Sequence, residues 1–142
     1  MEITPRCRMA LNYAKESLPR FGHSHVSSAH LVLGLLTLRG GVADSLLRKA
    51  GLSVQSVEGY LSSRRSSAEE STIQDGVPLG RSAASAFERA EAETRTRQTT
   101  HLGIEHLLLG ILAEESGEAT DLFASVHIDR EKMRRIVMEE IQ

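Results

Sequence analysis

Residues Ala29-His30-Leu31-Val32-Leu33-Gly34-Leu35-Leu36 return almost unchanged as Glu105-His106-Leu107-Leu108-Leu109-Gly110-Ile111-Leu112. Superposing His30 on His106 sets an offset of 106 − 30 = 76 residues. The same offset pairs Ala10 with Ala86, Ala14 with Ala90, His25 with His101, Gly41 with Gly117, Ala43 with Ala119 and Leu46 with Leu122, without a gap. A register held that far makes each half one structural unit, so whatever the chain folds into must be built twice.

Local signals give the unit. Thr4 before Pro5 predicts a helix start, because the hydroxyl accepts from an orphan backbone N–H and proline lacks only a donor that the first turn does not use. Cys7, Ala10, Leu11, Ala14 and Leu18 then recur at helical spacing, giving a first helix from Pro5 to about Leu18 that Pro19 and Gly22 end. Ser27 or Ser28 caps a second helix from Ala29 to about Arg39. It is apolar nearly all round, as a central helix must be, and Gly34 admits a close neighbour. Val42 to Ala50 forms a third helix, with Gly51 at a left-handed cap position. Ser53 starts a fourth through Val54, Val57 and Leu61. The second half follows the same plan: helices from about Arg81 to Arg97, Ile104 to Glu115, Glu118 to Val126, and Arg130 to Ile141 capped by Asp129.

The expected fold is all-α, eight helices as two tandem four-helix repeats with pseudo-twofold symmetry, in a single domain over residues 1–142. Repeat one covers 4–62 and repeat two 80–142. The sequence turns polar from Ser62, with Ser-Ser-Arg-Arg-Ser-Ser, Glu69-Glu70 and Asp75-Gly76-Val77-Pro78, and residues 63–79 read as a polar linker. Aromatic residues make up 4% of the chain and tryptophan is absent, so the core must be aliphatic. A formal net charge of −2 lacks the basic footprint that nucleic-acid binding requires. There is no apolar run long enough for a membrane span, and the expected location is the cytoplasm.

The residues offer little to catalysis. No Gly-x-x-x-x-Gly-Lys-Ser/Thr phosphate loop and no Gly-x-Ser-x-Gly elbow occur, and the lone Cys7 falls on the core stripe of its helix. The histidines lack metal-ligand spacing. His30 and His106 each stand at the start of an apolar helix, where a ring bonds to loop backbone and fixes how the chain enters the helix. No cofactor and no metal is expected. Arg64-Arg65 and the series Arg81, Arg89, Arg95, Arg97 read as a solvated face or, alternatively, as a partner surface.

Both copies of the repeated segment resemble the repeat of the Clp ATPase amino-terminal domain, whose signature reads roughly Gly-Thr-Glu-His-Leu-Leu-Leu-Gly-Leu-Leu. The resemblance runs from about Thr4 to Ile141. It implies a non-catalytic protein-recognition module that docks substrates or adaptors for an ATP-dependent Clp unfoldase or protease, as part of a Clp ATPase or as a free-standing regulator. The alternative is a small-molecule or cyclic-peptide site in the groove between the repeats. In the ClpC-like branch, the resemblance implies a receptor for phosphorylated arginine, in which the signature glutamate meets the guanidinium and a threonine opening the preceding helix meets the phosphate. The matching positions are Thr4 and Ala29 in repeat one, and Gly80 and Glu105 in repeat two. Paired within each repeat, they leave two incomplete half-sites, with Thr4, Glu105 and Arg81 as the candidate binding residues. The signature threonine is replaced by Ser28 and by Ile104, so Gly103 or a shifted boundary must serve the helix that Ile104 opens.

Overall fold

The computed structural model describes residues 2–65 and 71–141. Its helices are α1 (Pro5–Phe21), α2 (Ser28–Thr37), α3 (Val42–Lys49), α4 (Val54–Ser62), α5 (Arg81–Thr96), α6 (Ile104–Leu112), α7 (Glu118–Ser125) and α8 (Arg130–Glu140). Four short strands join them: β1 (Glu2–Ile3), β2 (Thr72–Gln74), β3 (Val77–Leu79) and β4 (His101–Leu102). The class is all-α, and α1 to α4 are repeated as α5 to α8.

The caps explain the helix boundaries. Thr4 Oγ1 accepts the Cys7 N–H at 3.1 Å, Ser53 Oγ that of Ser56 and Asp129 Oδ1 that of Lys132. The first helix runs past Pro19, contrary to expectation. Pro19 and Lys15 are exposed, so the carbonyl that proline leaves without a helical donor faces solvent and the lost bond costs little. Gly22, in the left-handed region at φ +68°, then closes the helix. The sixth helix ends before the expected Glu115 because Glu114 turns inward. Its carboxylate accepts the Thr120 N–H at 2.8 Å and so caps α7, whose N-cap residue, Gly117, has no side chain to do it.

Helices α2 and α6 are the buried centre, each clasped by the long helix before it. The approach is close enough to exclude a side chain. A Cβ on Gly34 would lie 2.2 Å from the Ala10 carbonyl oxygen, and one on Gly110 would lie 2.2 Å from that of Ala86. Around these axes Leu11, Leu31, Leu35, Leu107, Leu108 and Ile111 are fully enclosed, and the core is largely aliphatic, as expected, with Phe87 and Phe123 as buried aromatic members. Among the described residues no single helix is long and apolar enough to cross a membrane.

Part of the segment expected as a polar linker is structural. β2 and β3 form an antiparallel hairpin turned at Asp75 and Gly76, both at positive φ, and Val77 and Leu79 are buried. Asp-Gly is a favoured pair for a two-residue hairpin turn. Residues 66–70, including Glu69-Glu70, lie outside the described residues.

The strands connect the repeats crosswise. β1, which leads into α1, pairs in parallel with β4, which leads into α6, and the Thr4 N–H continues the ladder to the Leu102 carbonyl at 2.9 Å. Leu79, which leads into α5, bridges Val26, which leads into α2, and the Gly80 N–H reaches the Val26 carbonyl at 2.8 Å. Under the 76-residue offset these are one arrangement made twice: Ile3 corresponds to Leu79, and Val26 to Leu102. Each repeat inserts its opening strand into the other.

Candidate functional site

Crosswise pairing decides which signature residues meet. Thr4 is carried by β1 to the start of α6, not α2, and stands beside Gly103 and Glu105. A Cβ on Gly103 would lie 3.7 Å from the Thr4 methyl and 3.1 Å from Glu105 Oε2. Thr4 and Glu105 line one open cavity of about 750 Å³, with Arg6, Gly41, Lys49 and Glu140 also on its wall. The expectation of two half-sites paired within each repeat is therefore corrected: the threonine of repeat one and the glutamate of repeat two share a cavity.

Three helix N-termini converge here, those of α1, α3 and α6. Such ends carry unbonded N–H groups and the positive pole of the helix. The Thr4 hydroxyl is engaged with the Cys7 amide, and the N–H of Gly41 is taken by Asp44 Oδ1. Gly103 caps α6 without a side chain; its own N–H is accepted by His106 Nδ1 at 2.9 Å. Ile104, standing where the signature it resembles has threonine, is buried and packs on the Gly41 backbone, where an added Cβ would lie 2.8 Å from its Cδ1. The wall thus combines cations at Arg6 and Lys49 with carboxylates at Glu105 and Glu140. It suits a ligand with both signs of charge.

Arg81 is not part of this cavity. It lines a second one of about 520 Å³ with Ser82, Glu114, Gly117 and Glu118. Subtracting 76 from Arg81, Ser82, Gly117 and Glu118 gives Pro5, Arg6, Gly41 and Val42, all on the first cavity's wall. The two are pseudo-twofold counterparts, built differently. In the second, Ser28 Oγ accepts the Ala119 N–H, Ser82 Oγ accepts the Ser28 N–H, and Glu114 takes the next amide of α7. Ala29, the counterpart of Glu105, is fully buried. Internal acceptors therefore occupy the helix end that is left open in the first cavity.

The histidines occupy the structural places expected of His30 and His106. His30 Nδ1 accepts the Ser27 N–H at 2.9 Å, as His106 does that of Gly103. Burial, then the neighbouring His23 and His25, push His30 down to about 3. Burial also lowers His106, against an opposing pull from Glu105. The Cys7 thiol is fully enclosed, and burial, then Asp75 and Glu105, push it up to about 12. Among the described residues no group of three or more His, Cys, Asp or Glu is placed to hold a metal.

Comparison with known proteins bears on the family. The profile of the Clp repeat (R) N-terminal domain matches residues 2–137. A probable ATP-dependent Clp protease ATP-binding subunit of Chlamydia pneumoniae is 28% identical over 99% of this chain. The chain spans only 17% of that relative's length. Among solved structures, the N-terminal domain of the chaperone ClpD from Arabidopsis thaliana superposes with a TM-score of 0.80 at 18% identity, covering 99% of this chain and 94% of that one. A ClpV N-domain in complex with a VipB peptide superposes at 0.65 and 21% identity, covering 94% of this chain and 82% of that one. A match over nearly all its residues, on a fold of two crosswise repeats, places this chain in the Clp repeat N-terminal domain family.

Proposed function

We propose that this chain is a non-catalytic protein-recognition module, docking substrates or adaptors for an ATP-dependent Clp unfoldase, and that the cavity between Thr4 and Glu105 takes a phosphorylated arginine side chain. The observation that carries the reading is the meeting of Thr4 and Glu105 in one cavity. A phosphoarginine is a guanidinium joined to a phosphate, so its receptor needs a carboxylate beside a helix end. Glu105 supplies the charge-assisted acceptor. The N-termini of α1 and α3, with Arg6 and Lys49 nearby, supply the anion site. A ClpV N-domain binds a VipB peptide on the same fold, which supports peptide docking as the use of this scaffold.

Calorimetric titration with a phosphoarginine peptide and its unphosphorylated counterpart tests the reading. Selective binding, weakened tenfold or more by Glu105→Ala, is expected, since a charged hydrogen bond contributes about 1.5–3 kcal/mol. Equal affinity for the two peptides, or an unaffected Glu105→Ala variant, overturns it.

A further inference from the structure

The wall of the Thr4–Glu105 cavity does not end at Lys49. Leu46 and Lys49 line that cavity and also an adjoining one of about 340 Å³. From α3, Val42 lies on the first cavity and the C-cap residue Ala50 on the second; from α8, Glu140 lies on the first and Met133 and Ile136 on the second. The two helices thus run in opposite directions along one trench, which leaves the helix ends gathered around Thr4 and passes between α3 and α8. From Val42 to Lys49 the trench advances two turns of helix, about 10 Å.

The second cavity is mainly apolar inside and basic at its rim. Met133 is 4% exposed, Leu46, Ile128 and Ile136 are half-buried, and Lys49 and Lys132 are exposed. The acidic residue of this wall, Asp129, is engaged as the cap of α8, its Oδ1 accepting the Lys132 N–H. The pseudo-twofold counterpart lacks this rim. At the 76-residue offset Ser125 stands for Lys49, Ser56 for Lys132 and Tyr60 for Ile136. The Tyr60 ring is covered by the Arg64 guanidinium, which pairs with Asp121 of α7. A basic, apolar trench therefore accompanies the cavity whose helix ends are open, and not the one closed by Glu114.

Phosphoarginine carries its phosphate outermost, its guanidinium next, and an aliphatic stem that joins both to the main chain. With the phosphate at the N-termini of α1 and α3 and the guanidinium at Glu105, the stem and main chain lie away from those helix ends, and Leu46 and Lys49 lead on from there. We infer, on the reading of the Thr4–Glu105 cavity proposed above, that the trench between α3 and α8 seats the residues flanking the phosphoarginine. An extended segment advances about 3.3 Å per residue, so the apolar pocket falls within about four residues of the modified one. The partner segment thus carries an apolar side chain at that distance, with an acidic neighbour facing Lys132.

Calorimetry on the intact chain tests this with phosphoarginine peptides of glycine and serine, each bearing one leucine at a different position within about four residues of the phosphoarginine. One leucine position is expected to tighten binding about tenfold over the leucine-free peptide and to shift the Met133 and Ile136 methyl signals in NMR. An aspartate beside that leucine is expected to tighten binding further, and a lysine to weaken it. Ile136→Ser is expected to remove the leucine preference while the leucine-free phosphoarginine peptide still binds. Lys132→Glu, an exposed change that leaves the core alone, is expected to reverse the preference between aspartate and lysine. Selective phosphoarginine binding that is indifferent to leucine at every position, or a leucine gain untouched by both variants, overturns this inference and leaves the cavity reading standing. Loss of selectivity for phosphoarginine in every peptide overturns the cavity reading and this one with it. Met133 and Ile136 signals that move with protein concentration in the absence of peptide mean that a second copy of the chain covers the trench, and overturn it as well.

Discussion

At the level of single residues, burial decides what titrates and what reacts. His30 is 3% exposed and stays neutral in the fold down to about pH 3, whereas an unfolded chain protonates it near 6.5. Between those values the unfolded state binds more protons, so this contribution is complete above about pH 6.5 and is lost as pH falls. Urea denaturation is expected to show about 2 kcal/mol less stability at pH 5 than at pH 8, with His106 adding loss of the same sign. Cys7, held up to about 12, is expected to resist a thiol reagent at pH 8 in the native chain and to react at once in denaturant. Both residues were legible in the sequence for local reasons. Cys7 shares a helical stripe with Ala10 and Ala14, and a histidine three positions into an apolar helix is placed to take the N-cap amide. His23 was not legible, because its ring meets the Arg64 carbonyl at 2.8 Å, 64 − 23 = 41 residues away, and no short-range pattern joins them.

Elements carry the repeat's geometry, and Gly34 and Gly110 are where it is tightest. In an exposed helix alanine would be favoured over glycine by about 1 kcal/mol. Here an added methyl meets a backbone carbonyl at 2.2 Å, and a backbone atom retreats only if α1 moves off α2, or α5 off α6. Gly34→Ala and Gly110→Ala are each expected to destabilise the chain by about 1–3 kcal/mol, measured as a shift of the denaturation midpoint at unchanged slope. The helices themselves were legible from spacing and caps; their ends moved most at the exposed Pro19 and at Glu114, turned in to cap α7, while α2 stops at Thr37, short of the expected Arg39. The strands were not legible. Two or three residues show no alternation, and β1 finds β4 across 101 − 2 = 99 residues. Only Asp75-Gly76 carried a local signal, set inside a stretch whose polar composition masked the buried Val77 and Leu79.

For the whole molecule, the consequence of crosswise pairing is the number of sites. A repeat register tells which residues are equivalent; it does not tell whether a repeat's opening strand packs on its own central helix or on the other one. Paired within repeats, this chain would have two half-sites, each lacking one signature residue. Paired across them, Thr4 stands with Glu105, and Gly80 stands with the start of α2, where Ala29 is buried and Ser28, Ser82 and Glu114 already satisfy the amides. One site per chain is therefore expected, read as a stoichiometry of one in the phosphoarginine titration. A double-mutant cycle separates the two arrangements. Thr4→Val removes the hydroxyl that caps α1, at a stability cost of about 0.5–2 kcal/mol, and Glu105→Ala removes the carboxylate. If both touch one ligand in one cavity, their effects on affinity are coupled, and the double variant departs from additivity by about 0.5 kcal/mol or more. Two titratable sites per chain, or strict additivity between Thr4 and Glu105, would return the ligand to separate half-sites and remove the reason for placing it between the repeats.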